Sequence, residues 1–164
     1  MNRLLLVASL FIIVLAGACG GAKPSSGTAV GGTAATAKVL VNVDAEGVGL
    51  GGYDPLAYRK FGKPVAGLPE HSSKHGGATY RFSSTDNVAG FNGAEHAPQY
   101  GGYCAYAASL GNLSPSNPLV FEIHDGQLLV FTNTEFRDLF DQDRAGNKAK
   151  ADAAWPGLVA KHGK

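Results

Sequence analysis

The chain has 164 residues, with 14 Lys plus Arg against 13 Asp plus Glu, 45% hydrophobic residues and two cysteines. Loss of Arg3 with an N-terminal signal leaves the two charge signs equal, and the one cationic cluster, Lys148-Ala149-Lys150, is diluted by Asp143 and Asp152. Nucleic-acid binding needs a basic patch to displace phosphate counterions, so that class is excluded.

Asn2-Arg3, an apolar run from Leu4 to Leu15, and Ala16-Gly17-Ala18 directly before Cys19 form the layout of a secretory signal peptide. The run is shorter than the roughly 20 residues a membrane-spanning helix needs. Residues 1–18 are therefore expected to be cleaved. Leu15-Ala16-Gly17-Ala18-Cys19 also resembles a bacterial lipobox, with Leu one place further out than usual, whereas Ala-Gly-Ala equally suits an ordinary signal peptidase. Lipidation of Cys19 would tie the chain to a membrane by acyl burial alone. With Gly20 after the cysteine, resemblance to lipoproteins of double-membraned bacteria implies the periplasmic side of the outer membrane. Without lipidation the chain is periplasmic or secreted, and a Cys19 to Cys104 disulfide becomes available.

Residues 19–38 carry the lipidation site and a stretch of Gly, Ala, Ser, Thr and Pro that reads as a flexible tether. Residues 39–164 alternate apolar and polar segments and suit one domain. Within it, Asp54 and Pro55 predict a helix start, closed by Gly62 and Pro64. A strand is expected over Ala78 to Ser83 after the Gly76-Gly77 turn, then a helix capped by Ser84 and carrying Val88 and Phe91.

Leu119 to His124 and Gln127 to Phe131 flank Asp125-Gly126, the signature of a tight hairpin. Thr132 and Glu135 then make a capping-box pattern ahead of Phe136, Leu139 and Phe140. A last helix is expected from Lys148 to Trp155, stopping at Pro156-Gly157. The fold class is α+β, a small, mainly antiparallel sheet with short helices packed on it. No internal repeat of useful length is found.

Five blocks in order resemble exported YHS-domain proteins: Gly52-Tyr53-Asp54-Pro55-Leu56-Ala57-Tyr58, Gly62-Lys63-Pro64-Val65, Gly77-Ala78-Thr79-Tyr80-Arg81-Phe82, Ala97 to Ala105, and Lys150 to Pro156. The resemblance spans about Gly52 to Leu158 and implies a treble-clef-like core and an association with heavy metals through cysteine thiols. Many such domains carry a cysteine in an Asp-Pro-Val-Cys block; here Ala57 follows Asp54-Pro55-Leu56, so a two-cysteine site is unavailable.

The remaining metal chemistry is one thiolate with imidazoles, which suits copper or zinc. The expected ligands are Cys104, His75 and His124, out of His71, His75, His96, His124 and His162. A structural or protein-interaction module, with Cys104 as a packing residue and a partner in the cell envelope, is the alternative. A Cys/His enzyme ranks below both, because no Cys-x-x-Cys, Gly-x-Ser-x-Gly, His-Glu-x-x-His or phosphate-loop motif is present. Asp54 is read as a helix cap, and Tyr100, Tyr103 and Tyr106 as packing aromatics.

Overall fold

The computed structural model describes residues 37–164. The signal segment, Cys19 and almost all of the tether lie outside the described residues. Within them, no helix is long and apolar enough to cross a membrane.

The chain is α+β, as expected, but its strands form two separate antiparallel hairpins instead of one small sheet. The first joins β1 (Leu68–His75) to β2 (Ala78–Phe82), and the second joins β3 (Asn117–His124) to β4 (Gln127–Phe131). Among the described residues, six helices surround them: α1 (Ala57–Phe61), α2 (Thr85–Ala89), α3 (Gly93–His96), α4 (Ala105–Ser109), α5 (Thr134–Asp141) and α6 (Arg144–His162). Both hairpins close through two-residue turns at positive φ, Gly76-Gly77 (54° and 81°) and Asp125-Gly126 (48° and 72°), whose twist matches that of the flanking strands.

These parallels extend into an internal repeat that the sequence reading missed. In both hairpins the register slips at the open end: Leu68 opposes Phe82 and the next pair is Ser72 with Arg81, while Asn117 opposes Phe131 and the next pair is Phe121 with Val130. Each hairpin leads into a helix capped by a polar side chain, Ser84 accepting from the Asn87 N–H and Asn133 from the Phe136 N–H. In each, a strand phenylalanine meets one further along the chain edge to face, Phe82 with Phe91 at 4.9 Å and Phe131 with Phe140 at 5.4 Å. Upstream, α1 and α4 are both followed by a glycine at positive φ, Gly62 and Gly111. The offset between equivalents falls from 50 at Leu50/Tyr100 to 49 at Phe82/Phe131, a one-residue slip.

Strand β4 is where the halves meet. Leu128, Leu129, Val130 and Phe131 have no solvent exposure. Successive strand side chains point to opposite faces, and here each face has its own core. Leu128 and Val130 join Leu50, Leu56, Tyr58, Tyr80 and Phe82, whereas Leu129 and Phe131 join Tyr100, Cys104, Phe140, Ala151 and Leu158.

Several helix boundaries differ from expectation: α2 ends at Ala89 and leaves Phe91 outside it, and α6 begins at Arg144, ahead of Lys148. Helix α1 begins at Ala57 instead of Pro55, although Asp54 still caps its entry turn through the Leu56 N–H. Helix α5 takes Asn133 as its cap, because the Thr132 hydroxyl is used by the Pro115 carbonyl. Helix α6 is 19 residues long and passes through Pro156. An internal proline costs about 3 kcal/mol. Packing beyond it opposes that cost: Leu158 is buried, and the chain end pairs with the start of the domain through the Val39 and Lys164 backbones at 2.9 Å in both directions.

Because β4 serves two cores, Leu128→Ala and Leu129→Ala, one on each face, are both expected to cost about 2–4 kcal/mol in urea unfolding. A strand with one solvated face would show that loss at only one of the pair.

Candidate functional site

The most distinctive segment of the sequence, around Cys104, is a left-handed turn. Tyr100, Gly101 and Gly102 have φ of 53°, 56° and 78°, and the Tyr103 N–H closes the turn on the Tyr100 carbonyl at 2.9 Å. A tyrosine there carries the steric penalty of the left-handed region, whereas the glycines do not. Gly101 is required for a second reason: a Cβ on it would stand 2.2 Å from the Leu40 carbonyl oxygen. The turn delivers Cys104 to the N-cap position of α4, its N–H donating to the Ser114 carbonyl at 3.0 Å. The side chain is fully buried among Tyr100, Ala105, Ala108, Leu129 and Phe131.

Tyr100 donates its hydroxyl to Asp152 at 2.9 Å and meets Trp155 edge to face. Burial, then the Asp152 carboxylate, hold its phenol protonated far above the usual range. Tyr103 packs near Trp155 and Tyr106 against Phe136. All three tyrosines make aromatic packing contacts.

The same turn occurs at Leu50, Gly51 and Gly52, with φ of 53°, 56° and 82°, and the Tyr53 N–H returns to the Leu50 carbonyl at 3.1 Å. The next residue is Asp54, whose N–H donates to the Val65 carbonyl as that of Cys104 does to Ser114. Asp54 is thus the counterpart of Cys104. It is fully buried, and its carboxylate accepts from the Leu56 and Ser83 N–H groups, the Ser83 hydroxyl and the Asn87 amide. Burial drives its pKa up, but the four hydrogen bonds, led by the Ser83 N–H, outweigh it and hold the carboxyl below its ordinary value. Lys60 completes the network by donating to the Asn87 carbonyl oxygen at 2.5 Å.

His75 and His124 are equivalents too. Each ends the first strand of its hairpin, opposite the first residue of the second, Ala78 and Gln127. His75 lies edge-on to Phe91 and so close to Gly93 that a Cβ there would overlap its ring, while His124 Nε2 stands 3.3 Å from the Asp125 carboxylate. Among the described residues, no three His, Cys, Asp or Glu side chains are grouped to hold a metal ion. Cys104, His75 and His124 are not brought together as the expected ligand set: the thiol points into a core, and the imidazoles sit at hairpin turns. His96 is also occupied, its Nδ1 accepting from the Asn92 N–H at 2.9 Å.

Sequence reasoning missed Glu122, which sits inside an unremarkable strand. One carboxylate oxygen meets the Arg144 guanidinium at 2.7 Å, the same nitrogen lies 3.0 Å from Asp141, and the other Glu122 oxygen is buried without a partner. Two carboxylates share one cation. Burial, followed by the neighbouring Asp141, pushes the Glu122 carboxyl up to about 7.

Two clefts border residues 38–43, a segment lying across the body. One cleft, of about 320 Å3, is walled by Leu40, His75, Tyr80, Pro98, Tyr100 and Trp155. The other, of about 500 Å3, is walled by Val39, Val41, Val43, Gly77, Tyr103 and His162. Compared with known protein families, curated proteins and solved structures, the chain matches none.

The buried Asp54 and the half-buried Glu122 predict opposite pH dependences. Asp54, whose pKa is depressed in the fold, stabilises it above the unfolded value of 3.8, and that stability is lost as pH falls through the folded value. Asp54→Asn is expected to destabilise by about 2–4 kcal/mol at neutral pH and to blunt the acid transition, followed by circular dichroism. Glu122 has the opposite sign: the folded state binds the proton more tightly, so stability falls as pH rises from about 4.5 to about 7. Glu122→Gln is expected to flatten that slope in Tm measured across the window.

Proposed function

We propose that this chain is a non-enzymatic interaction module of the YHS type, exported and held at the cell envelope through its N-terminal region, with Cys104 as a packing residue. The observation that carries this reading is the complete burial of Cys104 in an apolar core, with no metal-binding group assembled among the described residues. The repeat supports it further. The strained turn, its glycines and the strand-end histidine recur in a half that has Asp54 in place of the thiol. Those features therefore serve the architecture, and their presence around Cys104 does not require chemistry at the sulfur.

A buried cysteine in such a core behaves as a small hydrophobe. What remains for recognition is the surface, including the two clefts along residues 38–43, whose walls carry the partly exposed Tyr103 and Trp155. Aromatic side chains of this kind provide contact area at low entropic cost. The reading places the partner in the envelope, next to a membrane to which an acylated Cys19 would hold the domain.

The deciding experiment is elemental analysis of the reduced protein and its Cys104→Ala variant after separate loading with copper and zinc. Both are expected to hold negligible metal, with the variant less stable by about 1–2 kcal/mol through lost core contacts. Near-stoichiometric metal in the parent and none in the variant would overturn the reading in favour of coordination.

A further inference from the structure

Three side chains of the first half stand in reacting order. Lys60, in the last turn of α1, holds its Nζ 2.5 Å from the Asn87 Oδ1, and the Asn87 Nδ2 donates to the buried Asp54 carboxylate at 2.6 Å. The amide carbon Cγ is one carbonyl bond beyond Oδ1, so the amine lies within about 3.7 Å of it. The amide is fixed and the amine is not. Asn87 is 4% exposed, its N–H is held by the Ser84 cap of α2, and its Nδ2 also approaches the Ser83 hydroxyl at 3.3 Å. Lys60 is an exposed residue, and its flexible aliphatic stem lets Nζ swing from Oδ1 over the face of the amide.

A second lysine–asparagine contact lacks the third member of this trio. Lys150 meets the Asn147 Oδ1 at 3.5 Å, but there Nδ2 donates to the Leu139 and Phe140 carbonyls, which cannot take up and return a proton. In the second half, the residues equivalent to Asp54, Lys60 and Asn87 are Cys104, Ser109 and Phe136. The turn, helix and hairpin form there with no amine, amide or carboxylate at those places. The architecture therefore does not call for the trio.

We propose that Lys60 and Asn87 become joined by an intramolecular amide bond, with Asp54 as the catalytic carboxylate. Lys60 first gives its ammonium proton to water. Nζ then attacks the Asn87 Cγ, and the carbonyl electron pair moves onto Oδ1. The added nitrogen is cationic and sheds a proton; Asp54 Oδ2, in contact with Nδ2, accepts it and passes it to Nδ2. The Oδ1 pair returns, the Cγ–Nδ2 bond breaks, and ammonia leaves, taking from water a proton in place of the one Lys60 released. One secondary amide and one ammonium ion replace the lysine ammonium and the primary amide, so no oxidant, reductant or second substrate is needed. The standing contact supplies proximity, and burial of Asn87 and Asp54 keeps water from competing for Cγ. The bond ties α1 to α2 around the first hairpin, a cross-link that restricts the unfolded chain. It goes beyond the module reading and is independent of the state of Cys104.

The test is mass spectrometry of the full chain beside Lys60→Arg, made and processed identically. After allowance for the substitution, the parent is expected to be lighter by the mass of one ammonia, and its tryptic digest to contain a branched peptide joining Lys60 to Asn87. Lys60→Arg keeps a cation at an exposed position but lacks the nucleophilic amine, so it is expected to fold, to keep its full mass and to unfold at a lower temperature than the parent. Asp54→Asn is expected to keep its full mass as well; loss of ammonia in that variant removes Asp54 from the mechanism. No mass deficit in the parent overturns the proposal. So does an equal deficit in the parent and Lys60→Arg, the result that succinimide formation at Asn92-Gly93 gives.

Discussion

Everything in this fold is arranged around a strand that cannot face water on either side. With both faces of β4 buried, its hairpin partner β3 covers one edge, and the elements on its two faces must each supply a complete apolar layer. In the first half that layer comes from α1, the Leu50 turn and β2; in the second, from α4, the Tyr100 turn, α5 and α6. The isolated bridge between Cys104 and Val130 ties the second left-handed turn directly to this strand. Two cores sharing one strand leave little tolerance for displacement, since closely packed interiors transmit a shift on one face to the other.

The duplication changes how a conspicuous motif is weighed. Strain in a backbone is often stored at functional sites, and a tyrosine at φ 53° followed by two glycines, a second tyrosine and a cysteine invites that inference. Here the same strain appears at Leu50, in a half with no thiol, so it belongs to the way each half turns its chain from one element into the next. The left-handed turn reverses direction within three residues and places the following side chain, Asp54 or Cys104, in the interior. Whatever occupies that place must be satisfied there. Asp54 is satisfied by four donors, and Cys104 needs none.

Local signals were legible where one residue type has a single physical use. Asp125-Gly126 between two β-rich runs gave a two-residue hairpin turn, and Ser84 capped its helix, because positive φ and orphan N–H groups narrow the choice of side chain. The α+β class followed from such pieces. The repeat was not legible, because its halves share mainly the turn glycines, a tyrosine, a strand-end histidine and the paired phenylalanines, while the core residues between them differ and the offset slips by one. The expected metal ligands are not grouped among the described residues for a related reason. Residue type named candidates, but only tertiary structure reveals that a cysteine faces a core and that two histidines cap separate hairpins. Pro156 misled because a local helix-breaking cost was outweighed by packing on the far side of the proline.

The contrast between Asp54 and Cys104 also separates the physical characters of the halves. Around Asp54 the interior is a polar network reaching Lys60 at the surface through Asn87; around Cys104 the equivalents of Ser83 and Asn87 are Thr132, bonded to the neighbouring Pro115 carbonyl, and Phe136, edge to face with Tyr106. A buried polar network fixes geometry because each donor must meet one acceptor, whereas an apolar core tolerates small rearrangements as long as volume is kept. The first half is thus the more rigidly specified. The second half, with α6 and the paired chain ends at Val39 and Lys164, has the freer interior, and it is also where Tyr100, Tyr103 and Trp155 wall the clefts. The clefts draw walls from both halves, Gly77 and Tyr80 from the first and Tyr100, Tyr103 and Trp155 from the second, so the polar core of one half and the apolar core of the other frame the same surface.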